Sequence, residues 1–256
     1  MEEQDDFIQE DASIEQDEIM KQNAIINDPE ILYQKGNEAG MLHNFAEAFE
    51  YFYKAASLGY APAQCNLGFC YEKGSGVPMN LAKAVEYYHK SAEQDYAPAQ
   101  CNLGWCYESG NGIEADINKA VELYLKAANQ GYAPALGNLG FCYGNGNGVP
   151  KDLDEAYIWY RKGAILGNAF SQYNFGDCYE FGKGVAPDIK KAMEWYRRSA
   201  EHGYAPAQNH LGQCYETGNG VEKNILKAYE WYNYAAALDY TIAKKNIDNL
   251  RKQNLI

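Results

Sequence analysis

The chain lacks any apolar run of about 18 residues, the length needed to cross a bilayer as a helix. Its first twenty residues contain neither a basic segment nor a continuous apolar one, so no secretory signal is predicted there. A basic stripe is also missing, although Lys and Arg contacts to phosphate supply most of the affinity of nucleic-acid binders. These absences predict a cytoplasmic or nuclear protein without membrane insertion or nucleic-acid binding.

Basic residues are absent from the N-terminal segment, which is strongly acidic. The net charge of the chain is −13, and residues 1–20 contain nine of its 35 acidic residues but no Lys or Arg. Isolated apolar residues such as Phe7 and Ile14 are too few to nucleate a core. We therefore predict that residues 1–27 form a disordered acidic tail.

Residue sets typical of metal or catalytic sites are lacking as well. No CxxC pair occurs, the four histidines have no metal-ligand spacing, and no Ser/His/Asp or Cys/His set emerges. The run from Gly144 to Gly148 superficially resembles a phosphate loop, but it follows a predicted helix and lacks the Gly-Lys-Ser/Thr ending. The sequence thus predicts a protein that is not an enzyme and has no metal ion or cofactor.

What the chain does have is an internal repeat. The pattern Leu-Gly-x-Cys-Tyr recurs every 36 residues, and in one copy Phe replaces Leu. The copies begin at Leu67, Leu103, Leu139, Phe175 and Leu211. A fixed period of this length predicts a stacked array in which each repeat buries its apolar face against its neighbours. Five of the seven cysteines share this period, which predicts reduced, structural thiols.

Each repeat has the pattern of two helices joined by a Gly-x-Gly turn. Ala63, Leu67, Cys70 and Tyr71 lie on one face at helical spacing, and Gly74 and Gly76 follow them. Capping residues then open the second helix, at Asn80, Asp116, Asp152, Asp188 and Asn224. The second helix is expected to bury a stripe that includes Trp159, Trp195 and Trp231. Residues 28–60 read as a shorter first repeat, residues 61–240 as five full repeats, and residues 241–256 as a capping helix.

The repeated strings resemble the Sel-1-like repeat family, a variant of the tetratricopeptide helical hairpin. Matching strings include AQCNLGFCYEKGSGV, AQCNLGWCYESGNGI and ALGNLGFCYGNGNGV, and the resemblance covers residues 61–240. Residues 28–60 instead resemble a plain tetratricopeptide repeat, through KGN and AFEYFYKA. The resemblance implies an all-α, right-handed superhelical solenoid whose first helices line a concave groove. It also implies a non-catalytic adaptor or scaffold that binds another protein or an extended peptide.

By this resemblance, the groove-facing side of the first helices is the candidate binding site. It presents Phe69, Trp105 and Phe141 at one repeat position, and Asn66, Asn102, Asn138 and Asn174 at another; Tyr173 adjoins them. The aromatic rings suit an apolar peptide, and packing between repeats is the alternative. The asparagine amides suit a peptide backbone, and a local hydrogen bond is the alternative. The recurring Glu72, Glu108, Glu180 and Glu216 read as a solvated groove rim.

Two other functions remain as alternatives. Cysteine-rich bacterial relatives bind or hydrolyse β-lactams, and Cys65 and Cys101 match one half of their cysteine pairs. Ala56 and Ala92 occupy the other half, so the pairs cannot form. The second alternative is a module that is autoinhibited by its acidic N-terminal tail.

Overall fold

A computed structural model of the protein describes residues 28–256, so the prediction of a disordered tail at 1–27 lies outside the described part. The described residues form thirteen α-helices and no β-strand. None of these helices has the length and apolarity that a membrane crossing requires. The prediction of an all-α fold built from helical hairpins is confirmed.

The helices divide between two compact units, with a boundary after Asp116. Unit 1 contains α1 (Pro29–Met41), α2 (Phe45–Ser57), α3 (Ala61–Lys73), α4 (Leu81–Ala92) and α5 (Ala97–Ser109). Unit 2 contains α6 (Ile117–Asn129), α7 (Ala133–Asn145), α8 (Leu153–Ile165), α9 (Ala169–Phe181), α10 (Ile189–Glu201), α11 (Ala205–Thr217), α12 (Ile225–Ala237) and α13 (Thr241–Lys252). Within each unit, every helix packs against the next one along the chain.

The helix ends follow from local sequence signals. The side chain of Asn80 accepts a hydrogen bond from the backbone N–H of Lys83, and Asp152 accepts from two backbone N–H groups at the start of α8. Gly74 ends α3 in the left-handed conformation at φ 70°. After the second helix, Asp95 and Asp239 are left-handed at φ 58° and 60°, at the position where the other four repeats have glycine.

A buried aromatic residue from the second helix of each hairpin forms the centre of the core. Tyr88, Tyr196 and Tyr232 have no exposed surface, and Tyr160 and Phe52 are buried at the same repeat position. The expectation that Trp159, Trp195 and Trp231 belong to this buried stripe is wrong, because all three are only half-buried. Each tryptophan directly precedes the buried tyrosine, so it sits at the edge of the helix interface.

Helix α13 packs on the last hairpin. Its Ala243, Ile247 and Leu250 are buried together with Tyr232 and Ala235 of α12. The outward side of α13 carries charged residues such as Lys244 and Asp248, which are exposed. One apolar and one charged side are the features of a helix at the end of a repeat array.

Candidate functional site

The candidate binding residues lie on the first helices of the hairpins and fall into one set in each unit. The unit 1 face consists of Asn66, Phe69, Asn102 and Trp105, and the unit 2 face consists of Asn138, Phe141, Tyr173 and Asn174. Phe69, Trp105 and Phe141 expose 49%, 40% and 39% of their surface. Large apolar side chains at this exposure leave contact area available to a partner.

Lys73 brings the two aromatic residues of the unit 1 face together. Its ammonium nitrogen lies 5.8 Å from the ring centroid of Phe69 and 6.0 Å from that of Trp105. The same nitrogen forms an ion pair with Glu72 at 2.6 Å. The two rings therefore flank one cation on adjacent repeats, which gives the face a mixed aromatic and charged surface.

The asparagine side chains largely bond within the protein. The amide of Asn66 donates to Oδ1 of Asn37 at 3.3 Å, and that of Asn102 donates to the sulfur of Cys65 at 3.6 Å. The amide of Asn174 donates to the backbone carbonyl of Phe170 at 2.8 Å, and Asn138 also has a partner. The amides of Asn66, Asn102 and Asn174 thus link neighbouring helices or close a helical turn, which is the alternative that the sequence left open.

Tyr173 belongs to an aromatic cluster between successive hairpins. Its ring centroid lies 5.4 Å from that of Tyr196, 5.6 Å from that of Tyr204 and 5.9 Å from that of His210. Burial raises the pKa of the Tyr173 hydroxyl above its ordinary value. These contacts make the ring part of inter-repeat packing rather than an exposed anchor.

An apolar pocket of about 270 Å³ adjoins the unit 1 face. It lies between α1, α2 and α3, and its walls are mostly apolar side chains. The lining residues are Gly40, Phe45, Ala48, Phe52, Asn66, Phe69, Cys70 and Ser75. Phe45 and Phe69 are both about half exposed at its rim. A concave apolar surface of this kind accepts an apolar side chain.

A second pocket, of about 330 Å³, adjoins the unit 2 face, and we call it the Tyr160 pocket. Apolar and charged groups both line it. The lining residues are Phe141, Gly144, Asn145, Lys151, Leu153, Ala156, Tyr160, Asn174, Asp177, Cys178 and Lys183. Lys183 lies 3.5 Å from a carboxylate oxygen of Asp177, so one of the two lysines is already paired.

The recurring glutamates are not a solvated rim, and that expectation is wrong. The hydroxyl of Tyr88 donates to Glu72 at 2.7 Å, and the hydroxyls of Tyr196 and Tyr232 donate to their glutamates at 2.6 Å. The side chain of Glu72 is only 11% exposed and that of Glu180 only 12%. Burial next to a carboxylate raises the pKa of the three tyrosine hydroxyls.

Both pockets lie where this glutamate is missing. Gly40 and Gly144 take its place in the first and fourth repeats, and each lines the pocket of its own repeat. The sequence did not predict these pockets. It does contain a sign of them, since glycine replaces the recurring glutamate at Gly40 and Gly144. This sign could be used only once the glutamate was known to contact the tyrosine.

The cysteines offer no reactive group. All seven are buried thiols. Burial raises the pKa of the Cys70 thiol to about 11 and that of the Cys65 thiol to about 12. Because a thiolate is the reactive form, such thiols are poor nucleophiles near neutral pH. No group of His, Cys, Asp and Glu within residues 28–256 has the arrangement of a metal site.

A family model described as Sel1 repeat matches the chain six times. The matched segments are residues 31–60, 61–96, 97–132, 133–168, 169–204 and 205–240. The Sel1 model thus matches residues 31–60, although the sequence there resembles a plain tetratricopeptide repeat. Helix α13 lies beyond the last matched segment. No curated protein sequence matches this chain significantly.

Solved structures show the same fold. A Sel1 repeat protein from Oxalobacter formigenes is 33% identical, with 86% of this chain and 87% of that chain covered and a TM-score of 0.73. The protein c5321, a protective antigen of uropathogenic Escherichia coli with an SLR fold, is 32% identical at a TM-score of 0.71. This match covers 93% of this chain but only 52% of c5321, so the chain spans about half of that protein. The immunity protein Pa5087 from Pseudomonas aeruginosa is 21% identical, with 83% of both chains covered and a TM-score of 0.60, and this similarity concerns the fold alone.

Proposed function

This chain belongs to the Sel1 repeat family, and from that premise we propose that it is a non-catalytic adaptor that binds an extended segment of another protein. Proteins of this family are typically protein-interaction scaffolds. In this proposal the helical hairpins carry the binding faces, and α13 covers the end of the array. The partner binds on the first helices of the hairpins.

One observation carries the proposal: Phe69, an exposed aromatic residue of the unit 1 face, borders an apolar pocket. Phe69 lines this pocket and, with Trp105, flanks the ammonium group of Lys73. Aromatic side chains at the edge of a pocket are frequent anchors of protein interfaces. A peptide with one apolar side chain in the pocket could also cover the exposed rings of Phe69 and Trp105.

The chemistry of the thiols supports the non-catalytic part of the proposal. The recurring cysteines are poor nucleophiles near neutral pH, because burial raises the pKa of Cys65, Cys106, Cys178 and Cys214 to about 12. Hydrolysis of a chromogenic cephalosporin above the rate in buffer would contradict this part of the proposal and favour the β-lactam alternative.

Selection of peptides from a random library on the full chain tests the binding site. We expect the selected peptides to share an apolar residue, and Phe69→Ala and Trp105→Ala each to weaken their binding about 10-fold or more. Tyr53→Ala is the matched control, because Tyr53 is a 48% exposed aromatic of unit 1 that lies on α2, away from this face. Equal losses in the control, or no loss in the two test variants, would contradict the proposed site.

A further inference from the structure

A tyrosine hydroxyl bonded to a glutamate is a repeated element of this fold. Tyr88 donates to Glu72, Tyr196 to Glu180 and Tyr232 to Glu216, with oxygen–oxygen distances of 2.6–2.7 Å. In each pair the glutamate precedes the tyrosine by 16 residues, from the last turn of the first helix. The carboxylate thereby satisfies a hydroxyl on a side chain that is fully buried.

In the fourth repeat the hydroxyl is present but its glutamate is absent. Tyr160 is 94% buried, since only 6% of its surface is exposed, and Gly144 occupies the position of the glutamate. Within residues 28–256 the Tyr160 hydroxyl has no hydrogen-bond partner. Burial and, to a smaller extent, nearby charged groups raise its pKa. The space left by the missing side chain is the Tyr160 pocket of about 330 Å³.

The first repeat lacks both the glutamate and the tyrosine of this pair. There Gly40 replaces the glutamate and Phe52 replaces the tyrosine, so neither the donor nor the acceptor remains. The resulting pocket is apolar. The fourth repeat has lost only the acceptor, so the Tyr160 hydroxyl is left at the pocket without its glutamate, 3.9 Å from where a Cβ atom on Gly144 would lie. The fourth repeat therefore keeps a hydrogen-bond donor at a pocket that has room for an acceptor from another molecule.

The charges around the Tyr160 pocket favour an anionic acceptor. Lys151 and Lys183 line the pocket, and Asp177 is the single carboxylate among the lining residues. Asp177 is already engaged, because its Oδ1 lies 2.8 Å from the Tyr196 hydroxyl, whose single proton it shares with Glu180, and its Oδ2 lies 3.5 Å from the Lys183 ammonium nitrogen. The exposed Lys151 has no carboxylate partner among the lining residues, so an incoming carboxylate would meet both its charge and the Tyr160 hydroxyl.

We propose that the Tyr160 pocket binds the side-chain carboxylate of a glutamate in an extended segment of the partner protein, which accepts a hydrogen bond from the Tyr160 hydroxyl. The incoming glutamate takes the place that Glu72, Glu180 and Glu216 fill in their own repeats. The exposed ring of Phe141 at the rim then covers the apolar part of the segment. This inference rests on the proposed function and specifies one residue of the partner.

The test uses the full chain and a glutamate with blocked termini, N-acetyl-glutamate N-methylamide, as the probe. NMR shifts of the backbone amides of Gly144 and Lys183 report binding in the pocket. We expect saturable shifts with this probe, and none with the glutamine counterpart, which has the same shape without the charge. Shifts of equal size with both probes would overturn the inference.

Two variants test whether the carboxylate of the probe binds at the Tyr160 hydroxyl. Tyr160→Phe should weaken binding about 10-fold or more, because it removes a hydrogen bond to a charged group. It is expected to fold, since Phe52 occupies the equivalent position in the first repeat. Gly144→Glu should abolish probe binding, because the new carboxylate would accept from the Tyr160 hydroxyl and fill the pocket. For the same reason its urea midpoint should be higher than that of Gly144→Ala. Unchanged probe binding in either variant would overturn the inference.

Further outcomes separate this inference from the proposed function. If selected peptides depend on Phe69 and Trp105 while the blocked glutamate leaves Gly144 unshifted, the proposed function stands and this inference fails. If deletion of residues 1–27 raises the affinity for the probe several-fold, the acidic residues of the chain itself fill the pocket, and the assignment to a partner protein fails.

Discussion

The backbone of Gly140 lies so close to the ring of Tyr160 that a Cβ atom on Gly140 would be 2.5 Å from a ring carbon. The same relationship joins Gly176 to Tyr196 at 2.7 Å and Gly212 to Tyr232 at 2.5 Å. The glycine of the Leu-Gly-x-Cys-Tyr pattern is therefore required by packing, because any side chain there would collide with the buried ring of its own hairpin.

The first prediction compares two glycines of helix α7. Gly140→Ala should lower the free energy of unfolding by about 1–3 kcal/mol, the usual cost of an overpacked core. Gly144→Ala is the control, because its Cβ would meet nothing closer than 3.6 Å. This control should gain up to about 1 kcal/mol from the higher helix propensity of alanine. Urea denaturation followed by circular dichroism measures both, and equal effects would contradict the packing role.

The second prediction concerns a buried amide. Oε1 of Gln64 accepts from Gln94 at 2.7 Å, and Oε1 of Gln172 lies 2.8 Å from a ring nitrogen of His202. Oε1 of Gln208 is buried without a partner, and Leu238 holds the position from which the donor would come. Leu238→Gln should therefore stabilise the protein by about 1 kcal/mol.

Leu238→Ala is the control for this substitution, because it removes the exposed leucine without adding a donor. Thermal and urea denaturation of both variants measure the difference. A Leu238→Gln variant no more stable than Leu238→Ala would mean that the Gln208 amide finds its partner in water.

The parts of the structure that the sequence predicted are those set by neighbouring residues. The cap at Asn80, the left-handed Gly74 and the apolar face around Leu67 each depend on one helix or one turn. The link between Glu72 and Tyr88 depends instead on how two helices cross. From the sequence, a charged residue at helical spacing is predicted to face solvent. Only the packing of α3 against α4 shows that Glu72 is buried against a hydroxyl. For the same reason the two pockets were not predicted.

The third prediction separates a binding role of Trp105 from a core role. Trp105→Ala should weaken binding of a selected peptide by about 2 kcal/mol or more, as anchors of interfaces do. Its stability loss should stay below that of Phe175→Ala, a 3% exposed core residue for which we expect about 3–5 kcal/mol. Trp159 is unsuitable as the core control because it is only half-buried. Titration and urea denaturation measure the two quantities.

If Trp105→Ala costs as much stability as Phe175→Ala and leaves peptide affinity unchanged, Trp105 is a packing residue. The binding site would then have to lie elsewhere on the protein. Phe69→Ala provides an independent check, because Phe69 exposes 49% of its surface on the same face.

The fourth prediction concerns helix α13. Removal of residues 241–256 uncovers Ala228, Tyr232 and Ala235, which pack against Ala243, Ile247 and Leu250. The truncated chain should have a lower melting temperature and a stronger tendency to aggregate, as arrays without a terminal cap do. Calorimetry and light scattering test this expectation. A truncated chain that remains monomeric with an unchanged melting temperature would contradict the capping role.

The fifth prediction is a pH dependence that follows from the buried thiols. Burial raises the pKa of Cys65 from 9.0 to about 12 and that of Cys178 by a similar amount. A raised pKa means that the folded state holds the proton more tightly, so this stabilisation is complete below pH 9 and is lost as the pH rises towards 12. The urea midpoint should therefore stay constant from pH 7 to 8.5 and fall above pH 9, and Cys65→Ala should reduce the fall. Iodoacetamide at pH 8.5 should modify Cys65 and Cys178 roughly 1000-fold more slowly in the native protein than in urea, and Cys70 roughly 100-fold more slowly, because their folded thiolate fractions are smaller by those factors. Equal rates in the two conditions would mean that the thiols are accessible in the native state, and the structural role assigned to these cysteines would be wrong.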